Sequence, residues 1–292
     1  MKLIATDLDG TLLNQKGEVS RENAEAIQKA VDRGLQFVVA TGRSYGAAGK
    51  PLKEVGLSAP VICLNGALTY SEDRKVLRSV PLDRKTAKNI QELCDQLGMY
   101  FEFFTSNGVY STNQEQFLQV MIDIMKSANP HMSEAEIIEG AEQRFQDEQV
   151  EFISDNEQVF AVEGLEIYKI LAFSMDKAKL AEVRESLQGE EQLAITSSGD
   201  INLEFNHPAA QKGIALQSLA GSMGIDMGDV MTLGDNFNDA SMLQMAGRSV
   251  AMGNAEEEIK AMCSHVTGTN EENGVAAAIE EMLDALPQGS PK

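Results

Sequence analysis

The first third of the chain alternates nearly unbroken apolar runs with stretches of helical period. Residues 2–6, 35–40 and 61–64 read as strands. Between the first two, Ala24, Ile27, Ala30 and Val31 recur at spacings of three and four. That spacing predicts a helix over residues 20–33, with Gly34 at the position of a C-cap glycine. A helix-compatible stretch separates the second and third strands. Apolar runs without polar alternation, joined by helices, belong to a parallel sheet buried on both faces. The last third returns to this rhythm, with a helix at 214–223, a strand at 230–233, a helix at 240–246 and a strand at 250–252. Helices at 255–262 and 275–286 follow, and residues 287–292 read as a frayed tail.

The middle third has a different pattern. Residues 99–105 and 109–112 flank Ser106-Asn107-Gly108, and Asn-Gly is a strong hairpin signal. Phe117, Val120, Met121, Ile124 and Met125 form a helical stripe, read as core packing. Ser133 and Glu136 have the spacing of a capping box. A strand at 168–173, a helix at 176–187 and a second hairpin from 193–196 and 202–205 complete the block. Hairpins mixed with helices describe an α+β domain inserted into an α/β one. The boundaries expected are 1–82 and 207–292 for the outer domain and 83–206 for the insertion. A chain of 292 residues is in any case long for a single core.

Charge narrows the partners. The formal net charge is −21, which repels nucleic acid and anionic membrane surfaces, so neither is expected. The same charge repels a phosphorylated metabolite, so a phosphate site here needs a local cation. The N-terminal apolar stretch is interrupted by Asp7, unlike a signal peptide, and no run reaches the length of a membrane span. Cys63, Cys94 and Cys263 form no CxxC pair and read as buried thiols in a reducing compartment. The expectation is a cytoplasmic protein, monomeric by default.

Four segments can carry chemistry, and each is expected at the carboxyl end of a strand, where ligands bind an open α/β sheet. Asp7-Leu8-Asp9-Gly10-Thr11-Leu12 follows the first strand. One carboxylate of such a pair can attack phosphorus, and the other can handle the protons of leaving group and water. A bare Asp-x-Asp can equally be a solvated turn. Thr41-Gly42 follows the second strand, offering a hydroxyl and open backbone N–H groups to an anion, although Thr-Gly often simply ends a strand. Lys212-Gly213 opens a helix, and an ammonium at a helix N-terminus favours an anion; a surface lysine is the plainer alternative. Gly234-Asp235-Asn236-Phe237-Asn238-Asp239 is the fourth, and it also serves to cap the helix that follows. Asp7, Asp9, Asp235 and Asp239 would put four carboxylates around one crevice, which demands a cation. All-oxygen ligation points to a hard ion, most simply Mg2+.

This set, in this order and across the whole chain, resembles the four motifs of the haloacid dehalogenase-like phosphatases. The insertion resembles the large α+β cap of their Cof-type subfamily. The resemblance implies a Rossmann-like parallel-sheet core with an inserted cap. It implies Asp7 as phosphoacceptor and Asp9 as general acid and base. It implies metal ligation by the Asp7 carboxylate, the Asp9 carbonyl and Asp235, with Asp239 in support. Thr41 and Lys212 match the phosphate-binding threonine and lysine, and Asn238 a polar residue touching phosphate. Gly42, Arg43, Asn65 and Gly66 match strings common near the substrate. His207 to Gln211 departs from the Val-Ser pair more usual before the lysine. His131, His207 and His265 lack ligand spacing. Tyr168, Lys169 and the loop around Asn107 fall in the cap.

The implied activity is hydrolysis of small phosphate esters: sugar phosphates, a pyrimidine intermediate of flavin synthesis, pyridoxal or nucleotide phosphates. Two other readings share the chemistry. A sugar-phosphate mutase returns the phosphoryl group to substrate, and a signalling receiver keeps it on aspartate.

Overall fold

The computed structural model describes residues 1–128, 131, 133–197 and 201–285. Leu3–Thr6 forms β1, whose four residues are all without solvent exposure. Along the chain follow α1 (Arg21–Asp32), β2 (Gln36–Ala40), α2 (Tyr45–Glu54), β3 (Val61–Cys63), β4 (Leu68–Tyr70) and β5 (Val76–Ser79). Next are α3 (Arg84–Gln96), β6 (Tyr100–Thr105), β7 (Gly108–Ser111), α4 (Gln114–Ala128), α5 (Glu134–Glu148), β8 (Val150–Phe152) and α6 (Glu157–Ala161). After them come β9 (Ile167–Phe173), α7 (Lys177–Ser186), β10 (Ala194–Thr196) and β11 (Asn202–Asn206). The chain ends with α8 (Lys212–Ser222), β12 (Val230–Gly234), α9 (Ala240–Met245), β13 (Arg248–Ala251), α10 (Glu257–Met262), β14 (His265–Val266) and α11 (Gly274–Ala285). The expected tail at 287–292 and Leu286 lie outside the described residues. The chain divides into two compact units, residues 1–79 with 209–292, and residues 80–208.

The first unit holds an eight-stranded sheet in the order β14-β13-β12-β1-β2-β3-β4-β5. From β14 to β3 the pairing is parallel, as the unbroken apolar runs predict. Burial on both faces explains the absence of alternation. On one face Leu3, Ala5, Val38, Ala40 and Ile62 pack with Ala215, Leu216 and Leu219 of α8. On α1, Ser20 caps the N-terminus by accepting a hydrogen bond from the Asn23 N–H at 3.1 Å. Gly34 beyond its end has φ +87°. Each large aliphatic side chain buried in this core contributes about 1.5–3 kcal/mol.

Two parts of this unit depart from the sequence expectation. The sheet is not wholly parallel, because β4 and β5 add antiparallel at one edge. Leu64, Asn65 and Gly66 have φ of 50°, 60° and 100°, and these left-handed residues reverse the chain directly after β3. β5 is largely exposed and carries no apolar period, so nothing in its pattern announced a strand. Lys212 also does not follow a strand of this sheet: the preceding strand, β11, pairs within the other unit. It arrives instead as the first residue of α8.

The second unit is a six-stranded sheet ordered β10-β11-β9-β6-β7-β8, antiparallel except where β8 joins β7. The Asn-Gly hairpin forms as expected, with Thr105 opposite Gly108. α3 and α7 pack on one core that includes Ile90, Val183, Phe103 and Phe205. Phe117 of α4 and Phe145 of α5 pack with Tyr100 in another. In the predicted stripe Phe117 is fully buried, while the side chains of Ile124 and Met125 lie outside the described residues. The capping box at Ser133 and Glu136 is present in both its hydrogen bonds. No helix among the described residues is long and apolar enough to cross a membrane.

Candidate active site

Asp7 extends β1 by one residue, its N–H donating to the Leu233 carbonyl of β12 at 3.0 Å. Beyond it the chain makes one wide turn, closed by Leu12 N–H on the Asp7 carbonyl and Leu13 N–H on the Leu8 carbonyl. Gly10 occupies this turn at φ +74°, and a Cβ there would stand 2.3 Å from Asp235 Oδ2. Glycine is therefore needed both for the turn and for the carboxylate beside it. Thr11, buried in the same turn, donates its hydroxyl to Asp235 Oδ1 at 2.9 Å. Asn254 donates to the Gly10 carbonyl at 2.8 Å and holds the turn from the other side.

Asp235 follows the end of β12. The next turn is closed by Asp239, whose Oδ2 accepts from the N–H groups of Asp235 (3.0 Å) and Asn236 (3.2 Å). Lys212, fully buried, donates from Nζ to Asp7 Oδ1 at 2.8 Å and to Asp239 Oδ1 at 2.6 Å. Its helix approaches this closely because residue 213 is glycine: a Cβ would stand 2.5 Å from the Ser241 backbone.

Asp7, Asp235 and Asp239 each offer an oxygen within 4.8 Å of the others. Three carboxylates against one ammonium leave the cluster net negative. Burial pushes the Asp7 carboxyl well above its ordinary value, with Asp239 adding repulsion and Lys212 opposing it. Burial and then Asp239 push Asp235 up to about 6. Burial pulls the Lys212 ammonium down, but Asp239 and Asp7 outweigh it and the value ends raised. Both Asp239 oxygens are engaged, by Lys212 and by two backbone N–H groups. Asp7 and Asp235 keep more free lone pairs, so the donor set suits a hard divalent cation held chiefly by these two.

The fourth carboxylate expected here is not in the cluster. Asp9 turns its side chain to Arg43, which donates from Nε to Oδ2 at 2.8 Å and from Nη2 to Oδ1. Thr41, fully buried at the end of β2, accepts on its hydroxyl from the Arg43 N–H at 3.1 Å. Its carbonyl accepts from the Asn65 N–H, and the Arg43 carbonyl from the Leu64 N–H, so the loops after β2 and β3 are laced together across Gly42. Gly66 presses against the segment entering α8, where a Cβ would meet the Gln211 carbonyl at 2.5 Å. Asn238 reaches Asn65 only at 3.5 Å, and its Oδ1 is buried without a partner among the described residues. Turned by half a rotation, that amide presents N–H donors instead.

Sequence reasoning did not single out Thr11, Asn254 or Arg78. Thr11 was within the quoted motif, but its bond to Asp235 joins positions more than two hundred residues apart. Arg78 donates to the carbonyls of Gly66 (2.5 Å) and Ala209 (2.7 Å), from a strand with no apolar pattern to mark it.

The sequence model of one family, described as haloacid dehalogenase-like hydrolase, matches residues 4–279. The chain belongs to the haloacid dehalogenase-like hydrolases. Among curated relatives, "Phosphatase YwpJ" of Bacillus subtilis strain 168 is 36% identical over 285 residues, covering 97% of this chain and 100% of the relative. "5-amino-6-(5-phospho-D-ribitylamino)uracil phosphatase YwtE" of the same organism is 38% identical over 284 residues, covering 97% and 98%. A solved haloacid dehalogenase-like hydrolase from B. subtilis matches with a TM-score of 0.87 at 36% identity, covering 97% of this chain and 100% of that one. The protein is thus an enzyme, a phosphatase of the haloacid dehalogenase-like superfamily.

Proposed function

We propose that the protein is a Mg2+-dependent phosphatase that hydrolyses small phosphorylated metabolites through a phosphoaspartate on Asp7. In this reading residues 1–82 and 207–292 are the catalytic core, and 83–206 a cap that selects the substrate. The enzyme acts as a cytoplasmic monomer. The observation that carries the proposal is the Lys212 ammonium bridging Asp7 and Asp239, with Asp235 gathered beside them at adjacent strand ends.

An Asp7 carboxylate oxygen attacks phosphorus as the ester P–O bond breaks in line with it, and Asp9 gives a proton to the leaving alcohol oxygen. Water then attacks the phosphorus of the phosphoaspartate and gives its proton to Asp9. Phosphate leaves and the Asp7 carboxylate is restored. Lys212, the Thr41 hydroxyl, the Gly42 backbone N–H and the Asn238 amide hold the phosphoryl oxygens, with Asn65 fixing the loop beside them. Asp7, the Asp9 carbonyl and Asp235 would hold the Mg2+, and Asp239 orients Lys212. The bound cation neutralises the carboxylates and the charge on the phosphoryl oxygens.

The first substrate to try is the phosphorylated ribitylaminouracil in the name of the relative at 38% identity. Sugar, pyridoxal and nucleotide phosphates come next. The test is phosphate release from a panel of these compounds, in Mg2+ and in EDTA, with Asp7→Asn alongside. Metal-dependent release by the wild type alone supports the reading. Turnover retained by Asp7→Asn overturns it. Isomerised sugar phosphate without free phosphate points to the mutase.

A further inference from the structure

Asp9 and Arg43 form a pair that the phosphate-binding roles above do not explain. The guanidinium meets the carboxylate with two parallel hydrogen bonds, the geometry that fixes orientation as well as distance. Stability does not account for it. The Asp9 side chain is 58% exposed and that of Arg43 28%, and exposed ion pairs contribute at most about 1 kcal/mol.

Both residues stand on fixed backbone. The Arg43 N–H is bonded to the Thr41 hydroxyl and its carbonyl to the Leu64 N–H. Asp9 sits in the wide turn that Leu12, Leu13 and Asn254 hold closed. A short exposed carboxylate two residues from Asp7 is otherwise free to rotate between solvent and the cluster. The three carboxylates there repel it, while Lys212 is already engaged by two of them. The Arg43 fork supplies a cation of its own and selects one rotamer. It uses one lone pair on each carboxylate oxygen and leaves the others able to take a proton.

We propose that Arg43 is a positioning residue for Asp9, holding its carboxylate to take the proton of the water that hydrolyses the phosphoaspartate. The inference rests on the phosphatase reading. It assigns Arg43 to the proton transfers of Asp9, which for a leaving group that needs no proton matter only in the second half of the reaction, rather than to binding the phosphoryl group. In that step the water oxygen bonds to phosphorus, the bond from phosphorus to the Asp7 oxygen breaks, and the water proton passes to Asp9. An arginine that bound the phosphoryl group would instead act on both halves whatever the leaving group.

The experiment compares wild type, Arg43→Ala, Arg43→Lys and Asp9→Asn on p-nitrophenyl phosphate and on one alkyl phosphate that the wild type hydrolyses. It measures kcat, kcat/KM and acid-quenched phosphoenzyme. General acid–base assistance is worth roughly 10²–10⁴-fold. On p-nitrophenyl phosphate, whose leaving group needs no proton, Arg43→Ala should therefore lower kcat by about 10²-fold with kcat/KM changed by less than about tenfold, while on the alkyl phosphate, whose leaving oxygen takes the Asp9 proton, kcat/KM should fall as well. With p-nitrophenyl phosphate, phosphoenzyme should accumulate to most of the enzyme present. Arg43→Lys, which keeps the charge and guards against misfolding as the explanation, should recover only part of kcat because lysine cannot make the paired bonds. Adding Arg43→Ala to Asp9→Asn should slow phosphoenzyme decay no further. On p-nitrophenyl phosphate, a parallel loss of kcat and kcat/KM without phosphoenzyme overturns the inference and returns Arg43 to the phosphoryl group. Unchanged kinetics overturn it as well. If the wild type releases no phosphate from either ester, the phosphatase reading itself falls.

Discussion

Each unit of the molecule buries charge, and the two do so to different balances. In the second unit Glu102, whose side chain has no exposure, takes two bonds from Arg144 and one from the Tyr100 hydroxyl at 2.8 Å. One guanidinium is bonded to one carboxylate, with Glu148 a further acidic neighbour, and the Phe117 ring lies 5.0 Å from the guanidinium carbon. In the first unit one ammonium faces three carboxylates that repel one another. A matched buried pair is complete in itself and organises packing. An unmatched cluster is complete only with a further cation, and that deficit makes it a site for chemistry.

The largest effects should fall on opposite properties in the two units. On the mechanism proposed above, Asp7→Asn removes the nucleophile and should reduce phosphate release by at least about 10⁴-fold. Its melting temperature in EDTA should hold or rise, because one of three crowded carboxylates is gone. Glu102→Ala should destabilise the protein by about 3–5 kcal/mol, since it leaves the Arg144 charge with its main partner removed. Replacing both, as Glu102→Leu with Arg144→Met, should recover most of that loss. Calorimetry beside a phosphate assay checks all three. A stability loss in Asp7→Asn as large as that in Glu102→Ala would erase the distinction.

The unmatched cluster was largely legible in the sequence, and the matched pair was not. Asp7 and Asp235 follow short apolar runs inside dense local motifs, where four or five positions constrain each other. Lys212 was found by its helix start, although its place after a strand was misread. The Arg43 fork on Asp9 spans thirty-odd residues and two loops, and the motifs state their types without their pairing. Glu102 and Arg144 lie 42 positions apart. Glu102 falls inside Tyr100–Thr105, which read only as a hairpin strand. The left-handed run at Leu64, Asn65 and Gly66 escaped because Leu rarely adopts such backbone, and β4 and β5 were missed with it.

Adding Mg2+ should reverse a pH dependence that arises in the first unit. Asp235 is pushed up to about 6, by burial and then by Asp239, and Asp7 is raised well above the ordinary value. A carboxyl that holds its proton more tightly when folded gives the native state more bound protons than the unfolded one. In EDTA, stability should therefore fall as pH rises from about 4 to about 6, and return on acidification. Mg2+ binds the ionised form, so at about 100 times its Kd it should add roughly 2.7 kcal/mol above that window. Asp235→Asn should lose most of the gain, and Glu102→Gln should keep it. A melting temperature indifferent to Mg2+ at neutral pH would show that the imbalance is met in some other way.

Glycine provides the finest test, because each unit has glycines at positive φ, and Gly108 and Gly10 differ in what a Cβ would meet. At Gly108, φ +133°, a Cβ would make only an ordinary contact, with the Gln149 carbonyl at 3.8 Å. Gly108→Ala should bring backbone strain alone, about 1–3 kcal/mol. Gly10, at +74°, would place a Cβ 2.3 Å from Asp235 Oδ2 and 2.8 Å from its Cγ. In Gly10→Ala the same order of strain is joined by displacement of Asp235, which breaks its bond from Thr11 and pulls one carboxylate out of the cluster. In EDTA that displacement relieves repulsion, so the two variants should melt within about 1 kcal/mol of each other. In Mg2+ they should separate, with Gly108→Ala gaining the full metal stabilisation and Gly10→Ala little of it. Equal gains in both would mean that Asp235 can hold the cation from a second position, and that the close approach at Gly10 serves the turn and not the metal.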